Sequence, residues 1–215
     1  PAPGLTATNT LRTGYTVNAI TGTLLGDTDA GLLNYVLHPT ASIAFGSNAN
    51  SRPAAPPAVG GSLQVASLHV DGPCCASGTE TTRQRDKLIT AIAALNADIV
   101  GLIGLTNDQS ASIQALVADV NASLGAGTYT YIDTGVIGPT ATRNALIYKP
   151  GAVSAVGVHA ILDSNVDSRY NDTLGIPALA QTFQNTNGER LTVVVTQLAP
   201  RTDVNCDGLG DPYDL

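Results

Sequence analysis

The chain has 215 residues and a formal net charge of −7, and only 13% of its residues are charged, against roughly 25% in an ordinary soluble domain. That length buries a core of ordinary size, as one domain or as one domain with a small extra module. Ten Lys and Arg with no basic run disfavour a nucleic-acid groove, and no 18-residue apolar stretch is present to span a membrane. A surface poor in charge and rich in small and hydroxyl residues suits a secreted or assembled protein. The start at Pro1, without Met or a signal peptide, reads as a mature end left by processing or as an artificial boundary.

Residues 1–50 carry short β-like runs, "YTVNAITGTLL" and "LLNYVLHP", broken by Gly, Asp and Asn, and form a β-rich N-terminal module. Residues 51–62 hold "SRPAAPPAVGGS", a stiff Pro/Ala/Gly linker with a flexible end. From 63 to 215 the pattern is that of an α/β domain. "LQVASLHV" alternates as a strand, and in "TETTRQRDKLITAIAALN" Leu88, Ile89, Ile92 and Leu95 share one helical face. "ADIVGLIGLTND" reads as a buried strand over Ile99–Ile103, with Thr106, Asn107 and Asp108 following where the chain surfaces. A second helix follows, with Asp108 as candidate N-cap, Gly125 just past its end, and Ile113, Leu116, Val117, Val120 and Leu124 on its apolar side. The remainder is strands, "TYTYID", "NALIYKP", "VSAVGVHAIL", "LAQTFQ" and "RLTVVVTQL", the last two joined by an Asn-Gly hairpin turn.

The order and wording of these segments resemble the endonuclease/exonuclease/phosphatase superfamily, in its large secreted bacterial nuclease branch. "LQVASLHV" is similar to that family's opening strand, and "TRQRDKLITAIAALNADIVGLIGLTND" to its first helix and second strand. "NALIYKP" and "LAQTFQNTNGERLTVVVTQL" are similar to two later strand regions, and the likeness covers nearly the whole chain. It implies a layered α/β/β/α sandwich and phosphodiester hydrolysis by a carboxylate-held Mg²⁺ with a histidine on the phosphate. Carried over by position, that machinery is replaced. The first strand's Asn is His69; the metal-binding Glu is Gly104 and its companion Thr106; the Asn-His pair is Thr196 and Gln197; the following lysines are Ala199 and Arg201. The family's second half, with a Gly-Asp-x-Asn strand end and a closing Asp-His, has no counterpart before Leu215. The sandwich is therefore expected to be incomplete, its open strand edges filled by residues 1–50 or by a neighbouring subunit.

"DVNCDGLGDPYD", residues 203–214, has the spacing of a calcium loop, with oxygen-bearing side chains at alternate positions and Gly208 at the sharp turn. Its ligand set is Asp203, Asn205, Asp207, the Leu209 carbonyl, Asp211 and Asp214, holding a structural Ca²⁺; a merely solvated acidic loop is the alternative. Among the three cysteines, Cys206 bridged to Cys74 or Cys75, a vicinal Cys74–Cys75 bridge, and free thiols all remain open. A disulfide would favour an extracytoplasmic compartment.

His38 and His159 read as packed or surface histidines, whereas His69 stands at a former site position. Tyr129, Tyr131, Tyr148 and Tyr170 read as core or rim residues, since no basic neighbours make a base-stacking groove. The sequons at Asn121 and Asn171 are short patterns, and the first falls inside a helix. The expectation is a secreted, catalytically degenerate nuclease-like domain with a structural or self-assembling role, as a homo-oligomer or polymer. The alternatives are a nuclease or phosphodiesterase completed by a partner or a missing segment, and a monomeric ligand-binding module.

Overall fold

The computed structural model describes residues 13–29, 32–46, 53, 55–70, 79–172 and 175–197. The chain forms two compact units, Pro1–Ala55 and Pro56–Leu215. In the first, β1 (Thr16–Val17) pairs antiparallel with β4 (Phe45–Gly46), and β2 (Gly22–Asp29) forms a hairpin with β3 (Leu32–Pro39). Leu24 opposes Leu37 and Leu25 opposes Val36, so the hairpin is apolar on both of its faces.

The second unit is built around one strand. β6 (Ile99–Thr106) lies parallel to β5 (Val65–His69) and antiparallel to β8 (Thr142–Tyr148), which pairs in turn with β7 (Thr130–Tyr131). α1 (Thr79–Leu95) and α2 (Ala111–Leu124) cover one face of this sheet. Leu88 and Ile92 of α1 and Ile113, Leu116 and Val120 of α2 pack there against Val100, Leu102, Leu105, Ala145 and Ile147. Its other face meets a second sheet, antiparallel in the order β11 (Arg190–Gln197), β10 (Ile176–Asn185), β9 (Val153–Leu162). Ile99 and Leu146 of the first sheet interlock there with Leu179, Phe183 and Val195 of the second. The fold is thus a mixed α/β layered sandwich, with helix, sheet and sheet layers among the described residues. Burial on both faces explains why β6 reads as a continuous apolar run.

At the lower end of this sandwich, polar groups tie the first sheet together. Asp98 accepts from the Gln64 amide at 2.9 Å, and its own carbonyl accepts from the Lys149 amide at 2.8 Å. The Lys149 ammonium lies 3.7 Å from the Asp98 carboxylate and donates to the Asn96 carbonyl at 2.6 Å. Beside it, the Tyr129 hydroxyl donates to the Ala97 carbonyl at 2.6 Å. Arg85 of α1 bridges to Asp119 of α2 and also donates to the Ala115 carbonyl at 3.3 Å, fixing the helix layer. The β10–β11 turn forms over Asn185–Gly188 as its Asn-Gly pair requires, with the Gly188 amide donating to the Asn185 carbonyl at 3.1 Å.

Two outcomes follow for stability. Phe183, fully buried between the sheets, should lose about 3–5 kcal/mol on change to Ala, whereas Val194→Ala on the outer face of β11 should cost well under ~1 kcal/mol. Urea unfolding of the two variants reads the difference, and equal losses would contradict the packing described. Burial, aided by the Asp98 charge, pushes the Tyr129 phenol from 10.0 up to about 12. Since the folded state holds this proton more tightly, its contribution is complete below pH 10 and is lost as pH rises toward 12. Urea midpoints measured from pH 9 upward should fall across that window, and less steeply in Tyr129→Phe.

Candidate functional site

Three of the residues that the family resemblance singles out, His69, Gly104 and Thr106, lie at the upper end of β5 and β6. β6 runs from Ile99 through Gly104 to Thr106, with Leu105 fully buried. The strand accommodates Gly104 by an irregularity, its register with β8 shifting between Leu102 and Leu105. Gly104 adopts φ +83°, a left-handed conformation that side-chain-bearing residues rarely take. A Cβ placed there would stand 2.9 Å from the Val70 carbonyl oxygen and 3.5 Å from Nε2 of His69. His69 and Gly104 are therefore neighbours, and the imidazole occupies space beside the backbone where a longer side chain would emerge.

Thr106 follows Leu105 on the opposite face of β6 and pairs with Thr142. Thr196 and Gln197 diverge. Leu191, Val193 and Val195 of β11 pack between the sheets, so Gln197 shares the inner face and exposed Thr196 points outward. Ala199, Arg201, the six residues of the acidic loop (Asp203, Asn205, Asp207, Leu209, Asp211, Asp214) and all three cysteines lie outside the described residues.

Sequence reasoning missed two buried polar residues on β8. Asn144 is fully buried, its Nδ2 donating to the Pro177 carbonyl at 2.9 Å. Its Oδ1 makes no hydrogen bond, and neither does the buried Oε1 of Gln197. Gln197 pairs with Ile176, the residue before Pro177, so both amides belong to the same end of the second sheet. Arg143, on the helix side, donates through Nη1 to the Thr134 hydroxyl at 2.7 Å and the Gly135 carbonyl at 2.6 Å. Burial pulls its guanidinium below the usual range, against the opposing pull of Asp108, Asp133 and Tyr131. The signal was an Arg-Asn pair set directly before the apolar "ALIY".

The acidic residues nearby are committed to loop structure. α2 starts at Ala111 with Ser110 in the N-cap position, two residues later than the sequence suggested, yet Asp108 still performs the capping by accepting from the Ser112 amide at 3.1 Å. Asp133 accepts from the Ser110 hydroxyl and from the Gly135 amide, and these bonds, the hydroxyl first, hold its carboxyl below the ordinary range. The Asn107 amide spans the 137–140 loop, donating to the Ile137 and Thr140 carbonyls at 2.8 and 2.9 Å. Asp108, Ser110 and Asp133 border a groove of about 610 Å³, and His69, Gln84 and Lys87 border another of about 310 Å³.

Magnesium does not suit this residue set. Gly104 and Thr106 bring no carboxylate to the metal's place, and among the described residues no group of three or more His, Cys, Asp or Glu could hold an ion. On the helix side Arg143 likewise keeps Nε and Nη2 without a hydrogen-bond partner.

No protein-family model and no curated protein matches the sequence. Similar solved structures include an endonuclease/exonuclease/phosphatase from Bacteroides vulgatus, at 18% identity over 64% of this chain and 52% of that one, TM-score 0.43. A mannosyl-6-phosphatase from Bacteroides thetaiotaomicron matches at 16% identity over 64% and 52%, TM-score 0.44. The human Nocturnin catalytic domain matches at 20% identity over 56% and 44%, TM-score 0.41. The chain spans about half the length of these structures. Its layered α/β architecture stands on its own strand order and packing.

Gly104→Ala and Gly104→Glu should each destabilise the fold by about 1–3 kcal/mol, because both force a side chain into a left-handed backbone against the Val70 carbonyl. Denaturant midpoints check this, and an unchanged midpoint would show that the strand can accept a carboxylate there.

Proposed function

We propose that the chain is a catalytically degenerate domain of endonuclease/exonuclease/phosphatase type, secreted, with a structural or self-assembling role outside the cell. One observation carries the loss of catalysis: at the position where the resemblance puts the metal-binding glutamate, the backbone is left-handed and a Cβ would meet the Val70 carbonyl at 2.9 Å. The backbone at Gly104 has a conformation that disfavours any side chain there. In this proposal Asp203, Asn205, Asp207, the Leu209 carbonyl, Asp211 and Asp214 hold a structural Ca²⁺, for which the support is their spacing in the sequence.

The purified chain should hydrolyse neither bis(p-nitrophenyl) phosphate nor DNA above the protein-free rate in Mg²⁺ or Mn²⁺; turnover that scales with protein concentration would overturn the degenerate reading. Negative-stain microscopy should show ordered assemblies with Ca²⁺ that loosen in chelator. Dispersed particles in both conditions would overturn the self-assembling role.

A further inference from the structure

The two outer edges of the second sheet are built differently. β9 is interrupted: Gly157 lies at φ +72°, and its register with β10 shifts between Ala180 and Thr182. Bulges of this kind blunt an edge against pairing with another chain. β11 itself carries no inserted residue: its one register shift with β10, between Ile176 and Leu179, places the extra residue on β10. Its register with β10 is unbroken from Leu179↔Val195 to Gln184↔Arg190, and among the described residues it pairs with β10 alone. Its sequence, "RLTVVVTQ", is β-branched and carries one charge, Arg190, at its first position.

We propose that the outer edge of β11 is a strand-pairing interface between two copies of this chain, joined antiparallel about a two-fold axis through Val194. The argument for a second copy is self-complementarity. An axis at Val194 sets Val193 opposite Val195, Thr192 opposite Thr196 and Leu191 opposite Gln197, with no like charges facing. The same sheet already contains such a pair, Thr182 and Thr192, whose hydroxyls lie 2.9 Å apart. In a chain of net charge −7, an edge free of acidic residues is where two copies approach without repulsion. Joined this way, the two three-stranded sheets become one of six strands, with the backbone groups of both edges satisfied. The contact is isologous and closes as a dimer, so a polymer would require a second contact elsewhere.

This inference deepens the self-assembling role proposed above and rests on it, and its test separates the two. Val194 is 58% exposed, so Val194→Lys should leave monomer stability near that of the parent while placing two ammonium groups face to face across the axis. Sedimentation equilibrium should show the parent associating and Val194→Lys weakened at least tenfold. An equimolar mixture of Val194→Lys and Val194→Glu should recover association, which a merely unfolded variant could not do. Association unaffected by Val194→Lys would overturn this interface while leaving self-assembly standing. A strictly monomeric parent would overturn both, and residues 198–215 lying along β11 by cross-linking would assign the edge to the chain itself.

Discussion

The second sheet can lie close on the first because β6 carries no side chain at position 101. A Cβ there would come within 2.9 Å of a Val195 methyl, so Gly101 is the hollow into which β11 settles. Much else depends on that contact. It brings Val195 to Ile99 and Leu146, with Leu179 and Phe183 beside them, closing the inter-sheet core. It also sets the depth at which Gln197, two residues further along the same face of β11, lies between the sheets. Close packing of this kind tolerates no added methyl without displacement of a neighbour.

The two glycines of β6 therefore do different things. Gly101 is required by what presses on it, in an ordinary extended conformation. Gly104 is required by its own backbone angle, which lets the strand slip register and still bury Leu105 against the helices. Their difference matters for function, because only the second stands where the resemblance expects a metal ligand. Below them Asp98, Lys149 and Tyr129 lock the strand ends with hydrogen bonds, and above them Asn107 and Asp108 shape the loops.

The layered fold was legible because its signals are periodic. Leu88 and Ile92 marked the face of α1, Ile113, Leu116 and Val120 that of α2, and the unbroken apolar run at 99–103 marked a strand covered on both sides. What escaped the sequence was decided by contacts between distant segments. Nothing local distinguishes Gly101 from Gly104, since one answers to Val195 and the other to Val70. Their own residue types did not mark Arg143 and Asn144 as buried; loop 134–135 and Pro177 supply their partners. The cap of α2 was placed two residues early because an aspartate reaching forward to the Ser112 amide leaves the same trace as one standing at the helix start.

The inter-sheet amides of Asn144 and Gln197 and the edge of β11 have one character in common, the absence of charge. A phosphate-processing cleft concentrates charge, both the cations that draw the anion in and the carboxylates that hold a metal. Between the sheets Asn144 and Gln197 each keep one carbonyl oxygen without a donor, while on the helix side Arg143 keeps Nε and Nη2 without an acceptor. A buried acceptor without a partner costs about 1–3 kcal/mol, which a fold tolerates more easily when its sheets are otherwise tightly packed. The same scarcity of charge continues along β11, from Gln197 back to Leu191. In a catalytic domain such a strand would be a hazard, inviting unplanned pairing beside the active site. In the pairing proposed above, the same strand would be the surface that joins two copies.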